Sequence, residues 1–372
     1  MSFLSTFIII NIAALINIFY NDKIYLSKML FITLVIYIII FAGLRYQIGY
    51  DYFSYLDWFK YSIDDGFFED FRKEPLFLYL NYITNYVGIN YNIFLLIIAT
   101  ISISLKSYII FKYSKFIFIS LLYFIGAYLL IDEMGQFRHA LASGILLFSL
   151  HFLIERKTQY FLFFWIIASM IHISSIVFIV AFIFIKKDIL SHKLISFTLL
   201  ILSLFLSLVP LKFLLYTAVS LLSFLGFAYS GYIESSILTK VIGMEEKGIT
   251  IGTIYYLFLT IFLIIYYSKL KNKFKEIIFF GNVFFAGVLI YFSFNSVQLL
   301  AGRLSQSFLM SEIIIVPALI ILFKPKLISR LIFLILISIY SYTKYTLPLN
   351  TGREEYREYK IYNPLEKGVL QE

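Results

Sequence analysis

Residues 92–111 read Asn-Ile-Phe-Leu-Leu-Ile-Ile-Ala-Thr-Ile-Ser-Ile-Ser-Leu-Lys-Ser-Tyr-Ile-Ile-Phe, a run whose only charge is Lys106. A helix of about 20 residues is ~30 Å long, which matches the hydrocarbon core of a bilayer. Working outward, comparable apolar runs predict helices at about 3–20, 29–44, 92–111, 116–131, 139–154, 159–171, 173–185, 194–209, 251–268, 277–294, 304–323 and 328–343. The whole chain agrees with that reading: of 372 residues, 61% are hydrophobic and 14% charged, and the mean hydropathy is +0.89. No water-soluble globule has such a surface, so soluble-enzyme folds are excluded. The expected fold is all-α, a polytopic transmembrane helical bundle of about twelve helices forming one membrane domain over 1–343. Outer-face loops are expected at about 45–91 and 210–250, with an outer-face tail at 344–372.

In such a chain the net charge of +9 has to be read loop by loop. Nothing basic precedes the first helix, whereas Lys23 and Lys28 follow it, so the N-terminus is expected outside. That choice puts seventeen basic and four acidic residues in or beside the odd-numbered connections, Lys106 among them, and fourteen basic and eighteen acidic residues elsewhere. Cytoplasmic loops carry the excess of Lys and Arg, so the expected orientation is N-out and C-out. Lysine divides fifteen inside to eight outside, as the rule requires. Arginine divides two (Arg156, Arg330) to six, and Arg45, Arg138 and Arg303 fall at outer helix ends or just beyond. A planar, permanently charged fork suits phosphate and carboxylate oxygens, so these arginines point to an anionic ligand at headgroup depth. The plainer alternative pairs each with a neighbouring carboxylate or a lipid phosphate.

The chain has no cysteine, which removes disulfides and thiolate chemistry. Its four histidines, His139, His151, His172 and His192, are too scattered to suggest a metal site, so neither metal nor cofactor is expected. No basic tail or patch suggests nucleic acid as a partner. Glycine-rich phosphate loops, an Asp-x-Asp pair and a serine nucleophile elbow are absent, which argues against cytosolic nucleotide chemistry.

The segment that leaves the second helix is too polar to span the membrane. It reads Gly43-Leu44-Arg45-Tyr46-Gln47-Ile48-Gly49-Tyr50-Asp51-Tyr52-Phe53-Ser54-Tyr55 and continues to Lys73-Glu74-Pro75-Leu76-Phe77, and between 45 and 75 it carries seven acids and four bases among aromatics. An amphipathic segment lying on the outer leaflet near 45–90 is therefore expected. Aromatic faces beside carboxylates and an arginine also suit sugar rings. Further on, 160–171 and 173–185 are short for full crossings, which places His172 at the outward tip of a hairpin or just below the interface. There it could serve as a base or a hydrogen-bond donor, or it could be a packed histidine bonded to a backbone carbonyl. His151 and His192 sit beside cytoplasmic lysines and suggest no chemistry. Glu312, inside the eleventh helix, is expected to face the bundle interior as a structural group, and the apolar stretch 213–229 could be a lid.

The run Arg-Tyr-x-x-Gly-x-Asp-Tyr-x-x-Tyr from Arg45 to Tyr55, followed by Glu-Pro-Leu-Phe from Glu74 to Phe77, resembles the opening signature of the EpsG family. Those are multi-spanning proteins of bacterial exopolysaccharide, capsule and O-antigen clusters, regarded as Wzy-like repeat-unit polymerases. Gln136-Phe137-Arg138-His139-Ala140-Leu141-Ala142 and Ala168-Ser169-Met170-Ile171-His172-Ile173-Ser174-Ser175 also match, apart from His139. Arg303 and the tyrosine-rich tail ending in Tyr362-Asn363-Pro364 are weaker echoes. The resemblance implies a glycosyltransferase of the bacterial inner membrane. It would move an oligosaccharide chain from polyprenyl pyrophosphate onto another lipid-linked repeat unit at the outer face, among membrane lipids and with a chain-length regulator as partner. Such a site needs cations for the leaving pyrophosphate, a base for the acceptor hydroxyl and a groove open to lipid and water. Arg45, Arg138 and Arg303 would supply the cations, and Tyr52, Tyr55 and Glu74 would hold substrate. Asp51 is favoured as the base over Asp132, and His172 is the other candidate. Two further readings stay open. A lipid-linked oligosaccharide flippase should line a central cavity with cations, and a membrane O-acyltransferase of polysaccharide should carry a histidine near the cytoplasmic face.

Overall fold

The computed structural model of the chain describes residues 2–19, 24–63, 74–208, 250–324, 326–350, 356 and 358–362. The expected lid, the acids and bases between 64 and 73, and the tail beyond Tyr362 lie outside the described residues. Among those described the chain is helical, and its extended pairing is a single bridge between Arg45 and Ile361. The chain forms two compact units, Met1–Ile176 with Ile313–Glu372, and Val177–Glu312.

In the first unit, helix α1 (Phe3–Phe19) exposes Leu4, Ile8, Ile12 and Ile16 at four-residue spacing and buries Phe7, Ile10 and Ala14. An outward stripe of large aliphatic side chains would be costly in water and is the ordinary face of a helix in lipid. Helix α2 (Ile24–Gly43) leads to two short helices, α3 (Tyr52–Tyr61) and α4 (Pro75–Tyr86), which form the expected amphipathic segment. Tyr52, Tyr55 and Phe59 of α3 face inward, while Phe53 and Trp58 are exposed. Helix α5 (Tyr91–Tyr113) is capped by Asn90, whose side chain accepts from the Ile93 N–H at 3.0 Å.

The centre of this unit is helix α6 (Ile117–Phe124), which widens without interruption into a π-helical stretch, Ile125–Gly135. Helices α1, α5 and α15 (Lys326–Asn350) pack against α6, and α2, α5, α15 and α7 (Phe137–Ile154) against the stretch that follows it. Extended π geometry is rare and favours functional sites. Here the wider register carries two successive acids, Asp132 and Glu133, into the bundle, where they are 0% and 1% exposed. Tyr356 donates from its hydroxyl to the Leu130 carbonyl at 2.8 Å, and the Gln136 N–H is shared by Ile131 and Asp132 oxygens. Helix α8 (Thr158–Ile171) packs on α7 and α4.

One expectation needs correction. Lys106 was assigned to the cytoplasmic end, but α5 runs on to Tyr113, so Lys106 lies two turns inside and is fully buried. It pairs with Glu133 and donates to Ser102 Oγ at 3.0 Å and the Ala140 carbonyl at 2.7 Å. Removing one lysine from that side leaves the direction of the charge asymmetry unchanged. The described helices form the expected all-α fold, with fewer full-length spans than the twelve expected helices. Five are long and apolar enough to cross, or six if a bent pair counts as one span. That pair is the expected eleventh helix, which breaks at Met310–Ser311 into α13 (Gln298–Leu309) and α14 (Glu312–Ala318), the latter containing Pro317. The other expected spans are shorter apolar helices, such as Lys193–Leu206 and Ile277–Ser293.

In the second unit, α12 (Ile277–Ser293) packs against α9 (Ile179–Lys187), α10 (Lys193–Leu206), α11 (Ile251–Lys273) and α13. Asp188 ends α9 in the left-handed region at φ 43°. Its carboxylate accepts from Tyr267, from Lys271 Nζ at 2.6 Å and from Asn282 Nδ2 at 2.9 Å, tying the turn to α11 and α12. Burial alone would push this carboxyl up, but the hydrogen bonds, led by that from Lys271, outweigh it and hold it below its ordinary value of 3.8. A depressed carboxylate contributes stability above its unfolded value and loses it as the pH falls through the folded one. Asp188→Asn should lower the melting temperature at pH 7 and flatten the loss of stability below about pH 4. Equal acid sensitivity in variant and parent would contradict this role.

Candidate active site

The C-terminal ends of α2, the π stretch and α8 meet the N-terminal ends of α4 and α7 at one end of the first unit. Glu74 is at the centre of this cluster. It precedes Pro75, the first residue of α4, and proline keeps the residue before it out of the helical region. Glu74 accordingly sits at φ −164° and ψ 72°, with its side chain turned into the cluster and 5% exposed. One carboxylate oxygen, Oε2, accepts from Arg138 Nη1. The other, Oε1, accepts from His172 Nδ1 at 2.9 Å and from the Ile173 N–H at 3.1 Å.

Arg138 is the second residue of α7, and its guanidinium carbon lies 5.6 Å from the ring centre of Tyr55, 5.2 Å from Trp58 and 5.7 Å from Phe77. Three aromatic faces and a carboxylate fix the fork in place, and cation–π contacts strengthen where water is excluded. His172 ends α8 in extended conformation, φ −146° and ψ 115°, which turns its ring off the helix towards Glu74. The His139 ring meets it edge-on at 5.3 Å. A carboxylate can only accept, so the hydrogen of the Glu74 contact is on Nδ1, and a neutral His172 then has Nε2 as an acceptor.

The remaining sequence candidates divide sharply. Tyr55 belongs to the cluster, with its ring 4.3 Å from Phe137 and beneath Arg138. Tyr52 spends its hydroxyl on Asn92 Oδ1 at 2.9 Å, and its carbonyl accepts from Tyr91 at 3.0 Å. Burial pushes both phenols up to about 12, so both stay protonated. Asp51 is half-buried at the N-terminal end of α3, within electrostatic reach of Tyr55 and Tyr356. Asp132, expected as an outer-face carboxylate, is fully buried in the π stretch. Arg303 is exposed on α13 of the second unit.

Arg45 departs furthest from expectation. It is 0% exposed, and it donates from Nη1 to the Ala42 carbonyl at 2.6 Å and from Nε to the Ile48 carbonyl at 3.0 Å. Two arms of the fork therefore brace its own loop. The backbone beside it pairs with the tail, Tyr46 N–H to Lys360 O at 3.0 Å and Tyr362 N–H to Leu44 O at 2.8 Å. Gly49, at φ 121°, closes this loop onto the π stretch, where a Cβ would collide with the Met134 carbonyl.

Three participants were not foreseen: Trp58, His139 as a neighbour of His172, and the Lys106–Glu133 pair. Trp58 follows Tyr55 by three positions, the spacing of one helical face. Among the described residues no group of three or more His, Asp or Glu side chains converges as a metal site.

The chain is thus a multi-pass membrane protein that joins a carboxylate, an arginine and a histidine at the ends of its helices. The EpsG family model matches residues 28–361, and the chain belongs to that family, whose members are Wzy-like polymerases. Membership supports a polymerase-like role in membrane polysaccharide synthesis. No curated protein and no solved structure matches the chain.

Proposed function

We propose that the chain polymerises oligosaccharide repeat units carried on polyprenyl pyrophosphate, as a glycosyltransferase acting at the outer face of the bacterial inner membrane. The product would be an O-antigen, capsule or exopolysaccharide. The observation that carries this reading is the Glu74 carboxylate holding His172 Nδ1 on one oxygen and Arg138 on the other. With Nδ1 committed, Nε2 of neutral His172 takes the proton from the acceptor sugar hydroxyl as that oxygen bonds to the donor's anomeric carbon. The bond from that carbon to the pyrophosphate oxygen breaks, and the electron pair leaves with the diphosphate. Arg138 gives one arm to Glu74, and its remaining face stabilises the departing anion. Asp51 and exposed Trp58 hold acceptor sugars. Arg45 and Tyr52 shape the loop that carries Asp51.

The sidedness rests on the charge asymmetry, which gives an N-out, C-out chain with this cluster outside. Single cysteines at Ser62, just after α3, and at Lys115, just beyond the C-terminal end of α5, should separate in intact spheroplasts. An impermeant maleimide should label the first and not the second, and the reverse pattern would invert the orientation.

The activity is tested by the lipid-linked glycans of a strain lacking the protein. Single repeat units accumulating on the outer face support polymerisation, with a chain-length regulator as the chain's partner in this step. Accumulation on the inner face would favour a flippase. Normal chain length with a missing acyl decoration would favour an acyltransferase.

A further inference from the structure

Helix α5 carries a second feature at its other end, about 30 Å along the axis from the Glu74 cluster. Two troughs run beside it. One, of about 330 Å³, lies between α5 and α2 and is lined by Lys28, Val35, Ile39, Ser107, Tyr108 and Phe111 among others. The other, of about 620 Å³, lies against α7 and is lined by Ile101, Leu105, Tyr108, Phe148, His151 and Phe152 among others. Both volumes fall within the roughly 300–1,000 Å³ of ligand pockets. Ser104 and Tyr108 line both, so the two troughs share one ridge.

The walls are largely apolar, interrupted by Thr100 and Ser104, and the charged groups gather at one end. There Lys112 Nζ donates to the Tyr108 hydroxyl at 3.1 Å and lies 3.3 Å from both ring nitrogens of His151. Its carboxylate neighbour Glu155 is 3.4 Å away and is already held by Lys157 at 2.9 Å and His151 at 3.1 Å. Lys157 holds the Glu155 carboxyl below its ordinary range. One carboxylate is thus shared by two lysines, which leaves positive charge in excess, and Lys28 adds a further cation to the α2 trough. The Ser107 hydroxyl, in the wall of that trough, is 3% exposed and has no hydrogen-bond partner among the described residues.

We infer that this end of the first unit is a binding site for an anionic diacyl phospholipid, one chain in each trough astride Tyr108 and the phosphate between Lys112, the Tyr108 hydroxyl and Lys28. Two troughs with one ridge fit two acyl chains on one glycerol. Basic groups at the headgroup level between membrane helices select anionic lipid. The site is independent of the proposed reaction, since it shares no residue with the Glu74 cluster.

The test uses the full chain in detergent, offered equal amounts of phosphatidylglycerol and phosphatidylcholine and examined by native mass spectrometry. The unaltered protein should retain phosphatidylglycerol several-fold over phosphatidylcholine. Lys28→Gln with Lys112→Gln should bring the ratio to near one at an unchanged melting temperature, because both side chains are exposed. Ser104→Trp, also at an exposed position, should fill the ridge and reduce retention of both lipids. Equal retention by the unaltered protein, a preference that survives the double lysine change, or retention unaffected by Ser104→Trp would each overturn the proposal.

Discussion

His172→Gln should lower chain growth by about 10²–10⁴-fold, the usual size of a lost general base, while binding of the lipid-linked repeat unit is largely kept. Glutamine can still donate to Glu74 but takes up no proton at neutral pH. The geometry also ranks the competitors. Asp51→Asn keeps the hydrogen bonds a sugar would make and should retain measurable turnover with a raised KM. Glu74→Gln should fall with His172→Gln, because it removes the acceptor that fixes Nδ1 and the partner that holds Arg138. The reverse ranking, with Asp51→Asn inactive and His172→Gln active, would move the base to Asp51. Comparable turnover in both would leave the chemistry to another group, with Asp132 the next carboxylate to substitute.

The second large effect is on stability. Lys106→Met should destabilise the protein by about 3–5 kcal/mol, because it strands Glu133 as an uncompensated buried charge. Lys106 is 0% exposed and Glu133 1%, so water cannot take over the lost contact without opening the bundle. Changing both, Lys106→Met with Glu133→Leu, should recover much of the loss, since replacing a whole buried pair by apolar groups is often near neutral. Thermal unfolding in detergent measures both. A single variant as stable as the parent would mean that the pair is not formed in the membrane.

How far these features were legible in the sequence follows from their range. Helix α5 was readable from 92–111 because length and apolarity are local properties, and only its end was misjudged, at Phe111 instead of Tyr113. The expected helix already contained Lys106, which counts with the cytoplasmic end by position alone, because nothing local marks a charge near a helix end as buried. Its partner Glu133 is 27 positions away, and no local pattern links the two. The π stretch was illegible because its hydrogen-bond register leaves composition unchanged. The break in the expected helix 304–323 carried a local sign in Pro317, although the chain turns earlier, at Ser311. At the site, the segments around Glu74, Arg138 and His172 were each visible, but Glu74 and His172 meet across 98 positions. Arg45 shows how short-range contacts escape such a reading. A cation at a helix end suggested a ligand, while the Ala42 and Ile48 carbonyls, only three residues away on either side, absorb two arms of its fork.

The central claim, that the Glu74–His172–Arg138 cluster catalyses repeat-unit polymerisation, is tested most directly by reconstituting the purified chain with a polyprenyl-pyrophosphate-linked repeat unit and resolving the glycans by length. The expected result is a ladder of lipid-linked multimers, released polyprenyl pyrophosphate equal to the bonds formed, and no ladder with His172→Gln. An unaltered protein that leaves the repeat unit monomeric, or a ladder of the same length with His172→Gln, would contradict it.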